Sequence, residues 1–364
     1  MSYSEKQVLI FTHVDYWRRG AGHRSRITEL IDYLSSNVAL VVLYIGNISS
    51  LEISHLKEEK RYSFHSIDFH TTNPFHNLSA IESFLQSKSF DVVIVEFIEL
   101  SFILDYLTGK TLKIIDTHDL VSSRIESFRK SGLTYDGIQL TQRQEFDLLS
   151  CYDLVMVIQR IDFGIASNSI PESKLLLTPH GTQCKMQRIR PVARHLGFIA
   201  SEYSPNVQGL EWFITEVWPA LSQQFELVLN VYGNIHKGIS ANMLSHHGIV
   251  WHQFVVNLND AYSNCDIIIN PVVCGAGLKI KNVEALANGL PLITTTHAAA
   301  GMDNQDESIF MIADSATDFK NKIQILIKNY PKRQSLSRAA YEYAASNFSI
   351  ESCYKPLLNK ILSS

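Results

Sequence analysis

Residues 270–301 constrain the fold of this chain more than any other stretch. An apolar run ends at Pro271, a turn containing Gly275 and Gly277 follows, and the apolar run PLITTT comes after a short amphipathic segment. Proline cannot extend a central strand, and glycine adopts conformations that bring a backbone close to a ligand. The pattern predicts a strand, a glycine turn, a helix over about 281–288 and a second strand.

The charges around this turn suit a phosphorylated ligand. A helix N-terminus offers unpaired N–H groups to an anion, and Lys279 and Lys281 add two positive charges there. Glu284 lies about one turn into the predicted helix, where a carboxylate can bind the diol of a ribose. A solvated surface turn would also explain the lysines, but their combination with the carboxylate favours a nucleoside-diphosphate site. The turn matches neither the Walker loop nor GxGxxG.

The composition, with 46% apolar and 19% charged residues, describes an ordinary globular protein. A chain of 364 residues is longer than one core usually supports, so two domains are expected. The formal net charge of −4 gives no sign of nucleic-acid binding. The five scattered cysteines lack CxxC spacing, so neither a disulfide framework nor a metal site is predicted. Without a secretory signal or a long apolar run, a cytoplasmic protein is expected.

Short apolar runs alternate with helical patterns along the chain, and a long helix is predicted over 134–150. The main predicted strands cover 7–13, 38–45, 91–96, 112–116, 153–158 and 174–178 in the first half and 196–201, 226–232, 249–252 and 266–270 in the second. This alternation is typical of parallel, doubly wound α/β sheets. Ligands of such sheets bind beyond the carboxyl ends of the strands, so polar residues that follow a strand are site candidates.

One group of candidates follows the first predicted strand. Arg18, Arg19, Gly22, His23 and Arg24 surround a glycine turn. Their charges suit phosphates or an anionic acceptor. The arginines would equally suit a solvated loop.

Further candidates follow two later strands. His118 and Asp119 come directly after the strand at 112–116, in the position where catalytic groups lie in this architecture. Asp119 would equally serve as the N-cap of the next helix. His180 follows the strand at 174–178 and is a candidate for contact with the substrate.

A resemblance to a known family rests on the segment 275–291, which reads G-x-G-x-K-x-K-x-x-E-A-L-A-x-G-x-P. It resembles the donor-binding signature of group-1, family-4-type glycosyltransferases of the GT-B fold, in the bacterial surface-polysaccharide branch. The segment SEYSPNVQGLEWFITEVWPAL is also similar to that branch. The resemblance implies two Rossmann-like, doubly wound domains that face a cleft. It also implies that the glycine-turn amides and Lys279 hold the donor diphosphate and that Glu284 holds the ribose.

The resemblance extends to other positions. It implies that His118 faces the donor sugar, and His118 and Asp119 are the predicted catalytic residues. The predicted donor-binding residues are Gly22, Gly233, Phe254, Gly277, Leu278, Lys279, Lys281 and Glu284. The acceptor or phosphate side is predicted at Arg18, Arg19, His23, Arg24 and His180. Two positions depart from the family: Ala276 replaces a glutamate that contacts the donor sugar in many members, and Gln253 replaces a usual glycine.

The chain is expected to divide into an acceptor-side domain over 1–188 and a donor-side domain over 189–335. A basic, proline-containing segment over 184–195 is the predicted linker. Residues 336–364 are predicted to form C-terminal helices, the last of which crosses back to the first domain.

The functional hypothesis is transfer of a sugar from a nucleoside-diphosphate sugar to a hydroxyl group of a glycan, a lipid-linked or another acceptor. No Asp-x-Asp triplet occurs, so a metal-independent reaction without a cofactor is expected. The resemblance implies retention at the anomeric carbon, whereas inversion would need a base such as His118, His13 or His23. An epimerase or a phosphorylase on the same fold and a non-catalytic nucleotide-binding scaffold are the alternatives. Peripheral contact with the inner membrane stays open.

Overall fold

The structure is a computed structural model that describes residues 6–18, 20–59, 61–68, 74–107, 109–252, 255, 258–302 and 307–364. In these ranges a parallel sheet of seven strands has the order β3-β2-β1-β4-β5-β6-β7. Its strands are β1 (Gln7–Thr12), β2 (Ala39–Ile45), β3 (Ser63–Ile67), β4 (Val92–Glu96), β5 (Leu112–Asp116), β6 (Leu154–Val157) and β7 (Leu175–Leu177). The helices of this half are α1 (Gly22–Leu34), α2 (Ser50–Glu59), α3 (Pro74–Gln86), α4 (Val121–Lys130), α5 (Gln142–Leu149) and α6 (Arg160–Ala166).

The second half of the described chain forms a parallel sheet of six strands in the order β10-β9-β8-β11-β12-β13. Its strands are β8 (His195–Ile199), β9 (Val228–Tyr232), β10 (Ile249–His252), β11 (Ile267–Asn270), β12 (Leu292–Thr294) and β13 (Met311–Ile312). The helices are α7 (Ser204–Glu216), α8 (Trp218–Gln224), α9 (Leu258–Ser263), α10 (Ile280–Ala287), α11 (Ala316–Lys328), α12 (Tyr330–Asn347) and α13 (Ile350–Ser363). Two Rossmann-like sheets confirm the predicted fold class.

The central strands of each sheet are buried on both faces, and most of them are continuous apolar runs. In the first sheet, Val8 of β1 pairs with Leu40 on one side and with Val92 on the other, and all three are buried. Alternate residues of these strands enter two separate cores, one under each layer of helices. Strands of this kind are typical of parallel sheets with helices on both faces. The polar residues therefore concentrate at the strand ends.

The chain returns to the first domain at its last helix. Tyr354 and Leu357 of α13 are buried in the core that also contains residues of α1, β1 and β2. Gly181 lies so close to α13 that a β carbon there would stand 2.9 Å from the Cα of Ile350. The preceding helix, α12, is continuous from 330 to 347 and packs against α10 of the second domain. The crossing to the first domain thus follows α12.

One local prediction was wrong, and one of the two alternatives for Asp119 is excluded. The helix predicted over 134–150 begins only at Gln142, because Thr141 and Gln144 form a capping box that starts α5 there. Asp119 is not the cap of α4. The carboxylate of Glu145 instead accepts hydrogen bonds from the first backbone N–H groups of that helix, at 2.6 Å from Val121 N and 3.0 Å from Ser122 N.

Among the described residues, none of the helices combines the length and the apolar character that a membrane span requires.

Candidate functional site

A cleft of about 530 Å³ lies between the carboxyl ends of the two sheets. Residues of both domains line it, as expected for doubly wound sheets that face each other. The predicted site residues that line this cleft are Gly22, His23, His118, Asp119, Gly233, Leu278, Lys279, Lys281 and Glu284. The structure therefore brings together residues that are up to 262 positions apart in the sequence (284 − 22).

The glycine turn of the second domain touches the loop that carries the two predicted catalytic residues. Gly275 and Gly277 both have positive φ, at 101° and 67°. A β carbon at Gly277 would stand 2.9 Å from both the Cβ of Asp119 and the carbonyl oxygen of His118. The N–H of Gly275 donates to the hydroxyl of Ser127 on α4, at 2.9 Å. Glycine is thus required at 277 by conformation and by the approach of the other domain.

A buried asparagine fixes the helix that follows the turn. Asn282, in the first turn of α10, accepts a hydrogen bond from the side chain of Asn270 at 2.7 Å. Its own amide donates to the carbonyl oxygen of Ala298 at 2.8 Å. These bonds tie the N-terminus of α10 to the end of β11 and to the turn that follows β12. The helix N-terminus therefore has a fixed position in the cleft.

The two lysines of the signature are half-buried, and each is held by neutral oxygens. The ammonium group of Lys279 donates to the carbonyl oxygens of Ala276 and Gly277, at 3.1 and 3.2 Å. The ammonium group of Lys281 donates to Oδ1 of Asn206 at 2.6 Å and lies 4.5 Å from the ring centroid of Phe198. Burial lowers the pKa of Lys279 to about 8 and that of Lys281 to about 7. An anion in the cleft would restore both charges.

Glu284 faces the same cleft from α10. The hydroxyl of Tyr262 donates to Oε2 of Glu284 at 2.8 Å. Burial raises the pKa of Glu284 to about 7, against the opposing effect of that hydrogen bond. The carboxylate is therefore oriented by a buried phenol before any ligand binds.

On the opposite wall, His118 is held by groups that the sequence analysis did not single out. Its Nε2 lies 2.7 Å from Oε2 of Glu96, at the end of β4. Its ring stacks on Phe97, with centroids 3.9 Å apart and planes 7° apart. Both His118 and Phe97 have positive φ, at 58° and 74°. Positive φ is rare for bulky residues, and here the two residues that adopt it stack on each other.

A buried ion pair lies beneath this histidine. Arg26 of α1 donates to both carboxylate oxygens of Asp116, at 2.8 and 2.9 Å, and to the carbonyl oxygen of Thr178 at 2.9 Å. Burial works to raise the pKa of Asp116, but Arg26 outweighs it and the pKa is lowered. Glu96, Asp116 and His118 also bring ligand-type atoms within 4.8 Å of one another. The guanidinium group of Arg26 already neutralises Asp116 through two hydrogen bonds. We therefore do not propose a metal site at these three residues.

Glu96 and Asp116 had a weak sequence signal, because each is an acidic residue at the end of a mainly apolar strand. No sequence feature pointed to Arg26, since an arginine inside a helix is usually exposed. Asp119, the second predicted catalytic residue, pairs with Arg124 at 2.6 Å. The carboxylate of Asp119 is therefore neutralised by the guanidinium group of Arg124.

Several predicted residues do not line the cleft. Arg18 is exposed and pairs with Glu52 at 3.0 Å, and Arg24 pairs with Asp15 at 2.6 Å. His180 is buried beside the cleft and lines an adjacent cavity of about 400 Å³ that shares Glu284 with it. The predicted Arg19 and Phe254, and Gln253 beside it, lie outside the described residues. Ala276 does line the cleft and faces it with no polar side-chain atom.

Two facing Rossmann-like domains with a glycine turn, two lysines and a carboxylate at their cleft define the GT-B class of protein. Residues 193–329 match the family described as glycosyl transferases group 1. This part of the second domain is thus similar to that family, and the whole chain has a GT-B fold.

Solved structures share the fold of the whole chain. HepE of Anabaena in complex with UDP and glucose superposes with a TM-score of 0.73 at 11% identity, covering 99% of this chain and 100% of HepE. TarM superposes with a TM-score of 0.78 at 10% identity, covering 100% of this chain and 99% of TarM; the organism of TarM is S. aureus.

A relative from Klebsiella pneumoniae, an uncharacterised 44.6 kDa protein in the cps region, is 25% identical over 175 residues. That match spans 45% of each of the two chains, so the relative is matched over less than half its length.

Proposed function

We propose that this protein transfers a sugar from a nucleoside-diphosphate sugar to a hydroxyl acceptor. The observation that carries the proposal is the single cleft in which Lys279, Lys281 and Glu284 face His118 across the two domains. The first three residues belong to the segment that matches the group 1 glycosyl transferase family. The fourth lies in the loop after β5 of the first domain, so both domains contribute to the cleft.

In this proposal the second domain stabilises the leaving diphosphate. The N-terminus of α10 and the turn amides would face the phosphate oxygens, and both lysines would become fully charged beside them. Donors fixed before the reaction commonly supply the largest share of rate enhancement. Glu284, already oriented by Tyr262, would accept hydrogen bonds from the ribose hydroxyls.

The finer features of the reaction are also part of the proposal. We propose retention at the anomeric carbon, with the leaving phosphate helping to remove the acceptor proton. We propose a metal-independent reaction with no cofactor, because the two lysines can balance the charge of the diphosphate. The cps region of the Klebsiella relative supports an acceptor used in surface-polysaccharide or glycolipid assembly. Peripheral contact with a membrane would follow for a lipid-linked acceptor.

A thermal-shift screen tests the donor site first. UDP and UDP-sugars lead the screen because HepE was solved with UDP and glucose, and GDP, ADP and TDP compounds follow. A ligand at 100 times its dissociation constant should stabilise the folded protein by about 2.7 kcal/mol. We expect the shift in the wild type to shrink in Glu284→Ala and to persist in Glu226→Ala, whose side chain is 81% exposed. The donor site would be refuted if no nucleotide shifts the wild type.

Product analysis then separates the possible enzyme classes. We expect a new glycosidic product that depends on an acceptor, has the anomeric configuration of the donor and forms in excess EDTA. Conversion of the nucleotide sugar without any acceptor would indicate an epimerase. Binding without turnover across a broad acceptor panel would favour a non-catalytic scaffold.

A further inference from the structure

The ring of His118 offers only one nitrogen to the cleft. Its Nε2 is taken by the buried carboxyl group of Glu96, at 2.7 Å. A half-turn of the ring would restore the stack on Phe97 but would lose the contact between Nε2 and Glu96. Nδ1 is therefore the ring nitrogen left for a ligand, and whether it donates or accepts depends on the proton shared with Glu96.

The surroundings of Glu96 favour its protonated form. Its side chain is fully buried, and within the described residues its Oε1 has no hydrogen-bond partner. An ionised carboxylate with one buried oxygen unpaired is much more costly than a neutral carboxyl group in the same place. Burial raises the pKa of Glu96 well above its usual range and lowers that of His118 to about 4. Both effects favour a neutral acid beside a neutral imidazole.

The charged groups around the pair do not change this balance, because they neutralise one another. Asp116 is paired with Arg26 from α1, and Asp119 is paired with Arg124 from α4. The other titratable neighbours among the described residues include His13 and His23, whose rings lie 5.7 and 6.2 Å from that of Phe97, and His180, which interacts electrostatically with His118. Glu99 also lines the cleft, and its charge acts on His13. None of the three imidazoles supplies a negative charge that would hold an imidazolium at His118.

We propose that Glu96 is a positioning residue that donates its carboxyl proton to Nε2 of His118 and so fixes the tautomer with the proton on Nδ1. His118 then presents an N–H donor to the cleft and cannot act as a general base. The inference rests on the proposed function for its use in the reaction: the donor would face an oxygen of the sugar or of the leaving group. The acceptor proton must then go elsewhere, as it does when the leaving phosphate removes it.

Nitrogen NMR reads the tautomer directly. Protein labelled with ¹⁵N at its 14 histidines is recorded at pH 7 in a long-range proton–nitrogen correlation, and the His118 signals are assigned by their loss in His118→Asn. We expect a protonated Nδ1 and an unprotonated Nε2 in the wild type. A proton on Nε2, or an imidazolium at pH 7, would overturn the proposal. The spectrum needs no substrate, so failure to find a transferase would not be confused with failure of the tautomer.

Kinetics of two Glu96 variants provide the second readout. Glu96→Gln can still donate an amide N–H to Nε2, and we expect it to keep kcat within a few-fold of the wild type. Glu96→Met removes the donor, and we expect kcat to fall roughly 10- to 100-fold with little change in KM, as for other groups that orient a functional histidine. If Glu96→Gln fell as far as Glu96→Met while both remained folded by circular dichroism, the proposed proton donation would be wrong.

Discussion

Gly277 of the donor-side turn packs directly against Asp119 of the opposite domain. A β carbon at 277 would stand 2.9 Å from the Cβ of Asp119, closer than such atoms approach in folded proteins. This contact exists only while the two domains are together. The glycine therefore links the turn that would hold the diphosphate with the loop that carries His118.

Gly277→Ala should impair activity beyond its effect on stability. Gly132 is the matched control, because it has nearly the same φ, 68° against 67°, and open space around its α carbon. We expect both alanine variants to lose about 1–2 kcal/mol of stability from the left-handed backbone. Only Gly277→Ala should lower kcat/KM by more than about tenfold, because it separates the domains. Urea unfolding and steady-state kinetics measure the two effects, and equal activity of the variants would contradict the role of the contact.

Lys281→Met should stabilise the unliganded protein while weakening nucleotide binding. The folded pKa of Lys281, about 7, is below the usual 10.5, so the unfolded chain binds more protons between these values and stability rises with pH across this window. Removing the ammonium group should add about 1 kcal/mol at pH 7, a typical trade-off at functional sites. Urea titrations at pH 7 and 9 measure the difference in stability between this variant and the wild type. The exposed Lys237→Met should change neither stability nor nucleotide affinity, and a destabilised Lys281→Met would contradict the argument.

Diphosphate binding should take up protons near pH 8. Lys279 and Lys281 have free-state pKa values of about 8 and 7, and a bound anion raises both. Above pH 8 each proton that binding requires should weaken affinity by about tenfold per pH unit. Calorimetry of UDP in buffers of different ionisation enthalpy measures the uptake. Proton release, or an affinity independent of pH between 7 and 9, would show that the lysines do not face the phosphates.

Glu284→Gln should flatten the pH dependence of stability at acid pH. Because the pKa of Glu284 is raised from 4.5 to about 7, the folded protein holds an extra proton between these values, and its stability falls as pH rises through that window. The glutamine variant lacks this slope and should be more stable by about 1 kcal/mol at pH 8. Thermal unfolding from pH 5 to 8 measures the difference. The exposed Glu226→Gln serves as control, and a slope shared by all three proteins would not come from Glu284.

Asp116→Asn should destabilise the first domain strongly, because it leaves the buried Arg26 without its counter-charge. Breaking a buried pair from one side costs about 3–5 kcal/mol, whereas an exposed helical pair contributes about 0.3–0.5 kcal/mol. Arg143 and Asp147 provide the comparison, with side chains 91% and 74% exposed. Chemical unfolding of Asp116→Asn and Asp147→Asn measures the loss of stability in each variant. Similar small losses in the two variants would mean that the Arg26 pair contributes nothing to stability.

The fold could be predicted because its strands are continuous apolar runs with turn residues between them. The strand DVVIVE, for example, corresponds closely to β4. The helix predicted over 134–150 failed for a local reason. The residues upstream of Thr141 include Gly137, and the capping box of Thr141 with Gln144 sets the start of α5. Composition alone does not distinguish a solvated loop from the first turns of a helix.

The donor side of the site could be predicted because its residues are adjacent in sequence, from the glycine turn to Glu284. The side of the cleft that belongs to the first domain is built from separate elements. The contacts between its residues could therefore not be predicted from the sequence. Nothing in the sequence links Arg26 in a helix to Asp116 some 90 residues later. Likewise, Arg18 and Arg24 were candidates by charge alone, and only the structure assigns Glu52 and Asp15 as their partners.

The return of α13 has a consequence for how the molecule forms during synthesis. Tyr354, Leu357 and Ile361 complete a core whose other members lie mostly in the first 160 residues. Those earlier residues leave the ribosome long before α13 does, since the whole second domain is translated in between. The first domain must therefore keep an apolar surface uncovered until α13 has been translated. The second domain, which is complete once α12 has been translated, can fill its own core before the first domain does.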